Sequence, residues 1–165
     1  MLSGGIDYLD TALTKMNSSH EELKPIVWSD SYALGYEPMD IVHEEFVALV
    51  RAMQEAPDNE LLTRLDAIAE HAKSHFGAEN DWMAATDFPA RECHVNEHDA
   101  VLKSVLDVRT QLVNGDLQNA RRLADELARW FSGHTDYLDS ALAHWMCKLR
   151  LGGKPLVFHR RINTN

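Results

Sequence analysis

The chain has 165 residues, 45% of them apolar and 25% charged, which fits one globular domain with a real buried core. No run approaches the roughly 18 apolar residues of a membrane span, and Met1–Asp10 lacks the basic start and apolar stretch of a signal peptide, so the expected compartment is the cytoplasm. A formal net charge of −10 excludes nucleic acid as a natural partner, because neutralising phosphates needs a basic face.

Residues 1–37 read as an N-terminal arm, with turn signals at Gly4-Gly5, Ser18-Ser19 and Pro25 and a short helix expected near Tyr8–Lys15. Four helical stretches follow. The first runs from Pro38, a residue suited to a first helical turn, to Ala56, with Phe46, Leu49, Val50 and Met53 recurring three or four apart. The second runs from Glu60 to Ala85 and stops before Asp87-Phe88-Pro89. The third runs from Arg91 to Val113 and ends at Asn114-Gly115-Asp116. The fourth runs from Leu117 to Leu151, where Gly152-Gly153 terminates it. Lys148 and Arg150 near that end complement the helix dipole. Residues 152–165 form a short C-terminal tail. Short connections make neighbouring helices antiparallel, so the predicted fold is an all-α, up-down-up-down four-helix bundle over residues 38–151.

Histidine is the unusual residue: there are nine, and every predicted helix carries at least one. His94 and His98 stand four apart, so both imidazoles leave one helix face. His75 and Glu79 repeat that spacing with a carboxylate. Either pair alone is weak evidence for a metal, since solvated and capping roles are common. Repetition around a bundle changes the balance, because His43, His75, His94 and His134 on four antiparallel helices can face one interior point. Unpaired imidazoles in a small core are costly, and a metal is the economical partner.

On the fourth helix, Asp136 points nearly opposite His134, while Asp139 lies five residues on, about 140° round an ideal helix. A single widened turn brings positions five apart into line. Alternatively, two metals about 3.5 Å apart each take one residue without strict alignment. Asp139 is preferred on either account. Five imidazoles and two carboxylates exceed the set of a structural zinc and suit two first-row transition ions such as iron. Di-iron oxidases built on Glu-x-x-His pairs are carboxylate-rich, and no such pair occurs here. A histidine-rich site is better matched to reversible binding.

From Trp28 to Met146 the chain resembles the hemerythrin family, specifically the bacterial hemerythrins. The likeness rests on Trp28-Ser29-Asp30, Leu34-Gly35, Met39-Asp40-Ile41-Val42-His43-Glu44-Glu45-Phe46, His75-Phe76-Gly77-Ala78-Glu79, Met83, His94, His98, Trp130-Phe131-Ser132-Gly133-His134 and Asp139. The resemblance implies that His94, His98 and His134 ligate one iron, and His43 and His75 the other. Glu79 and Asp139 would bridge them beside an oxo or hydroxo group, with iron cycling between Fe2+ and Fe3+. It implies an oxygen-binding protein for storage, delivery or sensing, not an enzyme, with dioxygen at the open position of the iron that has two histidines. Nitric oxide and small anions are further ligands to expect. The competing function is di-iron redox chemistry on nitric oxide or peroxide, or iron–sulfur repair; the N-terminal cysteine pair of the repair relatives is missing here.

Departures from the family touch the oxygen pocket. Thr135 follows His134 where isoleucine is common, Phe131 stands where leucine is usual, and Asn80 replaces a frequent glutamate. The Thr135 hydroxyl either faces the open iron or turns to the helix backbone. His71 reads as a packed or exposed histidine more than an outer partner of the site, and His20, His144 and His159 as structural or solvent-facing. Asp40 either orients His43 or serves as a first-turn acid. Cys93 and Cys147 are expected to be reduced and partly buried, with Cys93 a packing residue.

Overall fold

Gly35 and Asp40 set how the first helix begins. The computed structural model describes residues 24–153; the helix expected near Tyr8–Lys15 and the chain beyond Gly153 lie outside the described residues. Gly35 adopts φ +74°, a left-handed turn open to glycine. The Asp40 carboxylate, one turn into the helix, accepts hydrogen bonds from the backbone N–H groups of Leu34 (2.7 Å) and Gly35 (2.9 Å). Asp40 therefore ties down the entering loop, and it does not orient His43, whose Nδ1 has no hydrogen-bond partner.

Helix α1 spans Glu37–Gln54 and buries Met39, His43, Phe46, Val47, Val50 and Met53, a stripe at three- and four-residue spacing. Pro57 and a short 3-10 turn at Asp58–Glu60 lead into α2, Leu61–Ala85. Its end is marked by Asp87 at φ +51°, a conformation Asp tolerates better than most non-glycine residues. Helix α3 spans Arg91–Val113 and stops at Gly115, φ +97°. Helix α4, Leu117–His134, starts from Asp116, whose side chain accepts the N–H of Asn119 at 3.0 Å. It runs without a break into a π-helical turn, Thr135–Asp139, and then into α5, Ser140–Leu151, which Gly152 ends in the left-handed conformation.

Because α4, the π turn and α5 form one rod, the described residues make a four-helix bundle, with no strand among them. No described helix is long and apolar enough to cross a membrane. The last part of the predicted arm belongs to the bundle: Ile26 and Tyr36 are buried, and the Tyr32 ring lies 5.1 Å from that of Phe131.

The apolar interior falls into two clusters. One contains Phe46, Val50, Leu65, Ile68, Val105, Leu127 and Phe131. The other, at the opposite end, contains Met39, Met83, Phe88, Leu142 and Met146. Each helix switches from one cluster to the other where its buried histidine or acid falls, as in Met39–His43–Phe46 on α1 and Phe76–Glu79–Met83 on α2. The polar centre is the waist between two hydrophobic halves.

Candidate metal centre

Each helix delivers its polar group to that waist. His43 comes from α1, His75 and Glu79 from α2, His94 and His98 from α3, His134 from the end of α4, and Asp139 from the π turn. All seven are 5% exposed or less. Of the two accounts of the five-residue spacing, the structure has the widened turn, and it sets His134 Nε2 3.1 Å from Asp139 Oδ1. Asp136 is exposed on the other side of the same turn.

The distances divide the centre in two. His94, His98 and His134 converge on one another, with Nε2···Nε2 separations of 3.2 Å from His134 to each of the others. His43 and His75 form the second set, their rings 5.1 Å apart. Each carboxylate spans both sets. Asp139 places Oδ1 3.0 Å from His94 and Oδ2 3.1 Å from His43. Glu79 places Oε1 2.9 Å from His75 and Oε2 3.3 Å from His98. Two groups of potential ligand atoms result, Glu79-His94-His98-His134-Asp139 and His43-His75-Glu79, the atoms in each lying within 4.8 Å of one another.

The lone pairs show why these atoms need a cation. His98 Nδ1–H donates to Asn80 Oδ1 (3.1 Å), and His134 Nδ1–H donates to Glu97 Oε1 (3.0 Å). Those bonds leave the Nε2 atoms of neutral rings as acceptors, which repel one another unless a proton or a metal ion stands between them. His43 Nε2, Glu79 Oε2 and both Asp139 oxygens are buried without a hydrogen bond despite neighbours at 3.0–3.8 Å. They point at shared spaces, not at each other. A site so arranged fits two metal ions.

Around the centre, Glu97 also accepts the Trp130 indole N–H at 2.8 Å, fixing carboxylate and imidazole together. Phe76 stacks on His98 at 4.1 Å and 5°, and Trp130 covers His134 at 4.4 Å. Sequence reasoning missed Glu97 and gave Asn80 no role. The four-residue interval from Trp130 to His134 was a usable signal; the pairing of Glu97 with His134 depends on the register of α3 against α4, which no local spacing records. Thr135 is fully buried, and its hydroxyl finds no partner, so it is not turned to the helix backbone. Phe131, one turn earlier, meets the His43 ring edge-on at 5.4 Å. Cys93 is exposed, a correction to its expected packing role: the 100° step from His94 carries it outward, not into a neighbour. His144 is exposed, as expected.

In the metal-free protein protons partly fill the role of the cations. Burial alone pushes His43 down, but Asp139 and Glu79 together outweigh it and raise its pKa to about 9. Burial likewise opposes, and Asp139 with Glu97 and Glu79 raises, His134 to about 9. Burial and the Asp139 charge push Glu79 up, yet His43, His75 and His98 hold it below the usual carboxylate range. Asp139 is likewise held low by His134, His43 and His94 against its burial. His98 is lowered, chiefly by burial.

A pH dependence follows. Imidazoles with folded pKa near 9 and an ordinary value of 6.5 stabilise the fold fully below 6.5 and lose that contribution as pH rises through 9. The depressed carboxylates stabilise it above their ordinary 4.5 and 3.8 and lose that as pH falls. These are the same ion pairs seen from both partners. Urea titrations of metal-free protein should therefore show greatest stability between about pH 4.5 and 6.5 and a decline toward pH 9 on the order of 3 kcal/mol. A flat profile from pH 6.5 to 9 would contradict the ion-paired centre.

Comparison with known proteins accords with this geometry. The family described as the hemerythrin HHE cation binding domain matches residues 34–145. The chain is similar to a bacteriohemerythrin of Ralstonia nicotianae, 39% identical over 123 residues, covering 74% of this chain and 90% of that one. It is also similar to bacteriohemerythrins of Stenotrophomonas maltophilia (25% identical, 72% and 79% covered) and Clostridium acetobutylicum (23% identical, 66% and 91% covered).

Proposed function

The chain belongs to the hemerythrin family, and on that premise we propose that its buried centre holds two iron ions and binds dioxygen reversibly, as a store, carrier or sensor. One observation carries the reading: both carboxylates split their oxygens between a set of three imidazoles and a set of two. His94, His98 and His134 would hold one iron and His43 and His75 the other, with Glu79 and Asp139 spanning them. The smaller set would offer its ion one imidazole fewer, so an added ligand would go to that side. A bound iron pair supplies the electrons and the open coordination position that dioxygen needs. The chain supplies the rest. Phe131 walls that side and keeps water from His43, while the unpartnered Thr135 hydroxyl, one turn on, is available to donate a hydrogen bond to an oxygen or anion there. Both cysteines are free thiols, which suits a reducing compartment such as the cytoplasm.

The polar Thr135 is also the observation that favours a second reading, redox chemistry on nitric oxide or peroxide, because a polar pocket speeds irreversible oxidation. An optical experiment separates the two. Reduced, iron-loaded protein admitted to air should develop charge-transfer bands in the near ultraviolet and visible that fade under argon. Prompt, permanent conversion to a ferric spectrum would replace oxygen carriage with the redox function. Replacing Thr135 with valine should slow the permanent conversion.

Glu97 gives a separate check on the ligand assignment. Glu97→Gln keeps a hydrogen-bond acceptor for His134 but removes the charge, and it should weaken iron affinity by about 10- to 100-fold while preserving two irons per chain at saturation. Competition against a ferrous chelator measures both quantities; unaltered affinity would mean that Glu97 does not support a ligand.

A further inference from the structure

A cavity of about 130 Å3 opens between α1 and α2 and ends on two of the centre's own residues, His75 and Glu79. Val42 and Trp82 line its sides, and Glu45 and His71 line it as well. Among its lining side chains, exposure is 60% at Glu45, 13% at His71, 4% at His75 and 0% at Glu79. The cavity thus joins exposed lining residues, Glu45 with Pro38, Ser74 and Ala78, to the buried His75 and Glu79 of the centre.

The outer pair is set up to receive a cation. His71 Nε2–H donates to the Val42 carbonyl at 3.1 Å, which leaves Nδ1 as a lone pair. That nitrogen lies 3.7 Å from Glu45 Oε2, too far for a hydrogen bond. Two donors each about 2.1 Å from a shared cation stand at such a separation. Four residues deeper on α2, His75 Nδ1 is buried and has no hydrogen-bond partner, and Glu79 Oε2 is in the same condition. Imidazole and carboxylate therefore occur twice in the lining, once toward solvent and once buried.

We propose that this cavity is the path by which ferrous iron enters and leaves the centre, with Glu45 and His71 as a transit site that hands the ion to His75 and Glu79. The proposal rests on the metal-centre reading above. A transit site lowers the barrier in both directions and leaves the equilibrium unchanged, which distinguishes it from a ligand.

The test starts from the iron-loaded, reduced full chain mixed anaerobically with a ferrous chelator in enough excess that release no longer depends on chelator concentration. Glu45→Gln and His71→Leu should each slow release by about tenfold, the lower end of what charge-lined clefts contribute to ion traffic. Ala78→Phe, which narrows the cavity from an exposed position in its lining, should slow it at least as much. Re-uptake should slow by the same factors, with affinity unchanged within about twofold. Glu70→Gln, exposed on α2 and outside the cavity, should match the parent. Parent-like release from all three variants, each still holding two irons, would overturn the path alone. A collapse of affinity in Glu45→Gln or His71→Leu would also overturn it, by making those residues ligands. A parent chain that holds no iron would overturn the centre and the path together.

Discussion

Asp139→Asn is expected to reduce bound iron from two per chain to one or none and to destabilise the metal-free fold by about 3–5 kcal/mol, the usual cost of removing one partner from a buried ion pair. Asp139 lies within 3.0–3.1 Å of three imidazoles, on α1, α3 and α4, whereas Glu79 comes no nearer to His43 than 3.8 Å. Asparagine keeps the volume but replaces one oxygen with a donor, which would face a ring nitrogen. The charge also matters. Asp139 is a leading reason that His43 and His134 hold protons up to about pH 9, so without it both rings should titrate much nearer neutrality. Iron per chain by metal analysis, thermal melts, and the titration of the two rings by NMR would measure these effects. Asp136→Asn is the matched control, because Asp136 is exposed on the same turn and should change none of them. An Asp139→Asn chain that kept two irons would show that the carboxylate does not span the pair.

That control also shows how far the sequence could be read. Asp139 was preferred to Asp136 with two accounts open, a widened turn or two metals without strict alignment, and the helix is π-helical over Thr135–Asp139. Intervals of four placed His94 beside His98 and His75 beside Glu79, and the periodic stripes placed the four helices, because those relations lie within one helix. What could not be read lies between helices. Glu97 reaches His134, Asn80 reaches His98, and Glu45 faces His71 only once α1 to α4 have packed in register. The outward turn of Cys93 belongs with these, since whether a residue 100° from a buried one packs or faces water is decided by the neighbouring helix. Of the two roles open for Asp40, it is the first-turn acid and does not orient His43; its hydrogen bonds to Leu34 and Gly35, though local, were not read.

Loading the centre with iron should raise the melting temperature by about 8–16 °C at pH 7.5, given free metal some thousandfold above its dissociation constant and hence about 4 kcal/mol of linkage in a domain of this size. The metal-free centre explains why the gain is available. Its buried Glu79 Oε2 has no hydrogen bond, and such an atom costs about 1–3 kcal/mol that a bound cation offsets. The same centre makes the gain depend on pH. His43 and His134 carry protons up to about pH 9, and a nitrogen cannot hold a proton and a metal on one lone pair, so loading at pH 7.5 must expel protons. Affinity should therefore climb with pH toward 9, over the same interval in which the metal-free fold loses stability. The loaded and metal-free proteins should then diverge in melting temperature as pH rises from 6.5 to 9. Proton release can be followed with an indicator dye in weak buffer while iron is titrated in. Loading without proton release, or a melting temperature indifferent to metal, would mean that these imidazoles are satisfied by one another and that the polar waist is structural.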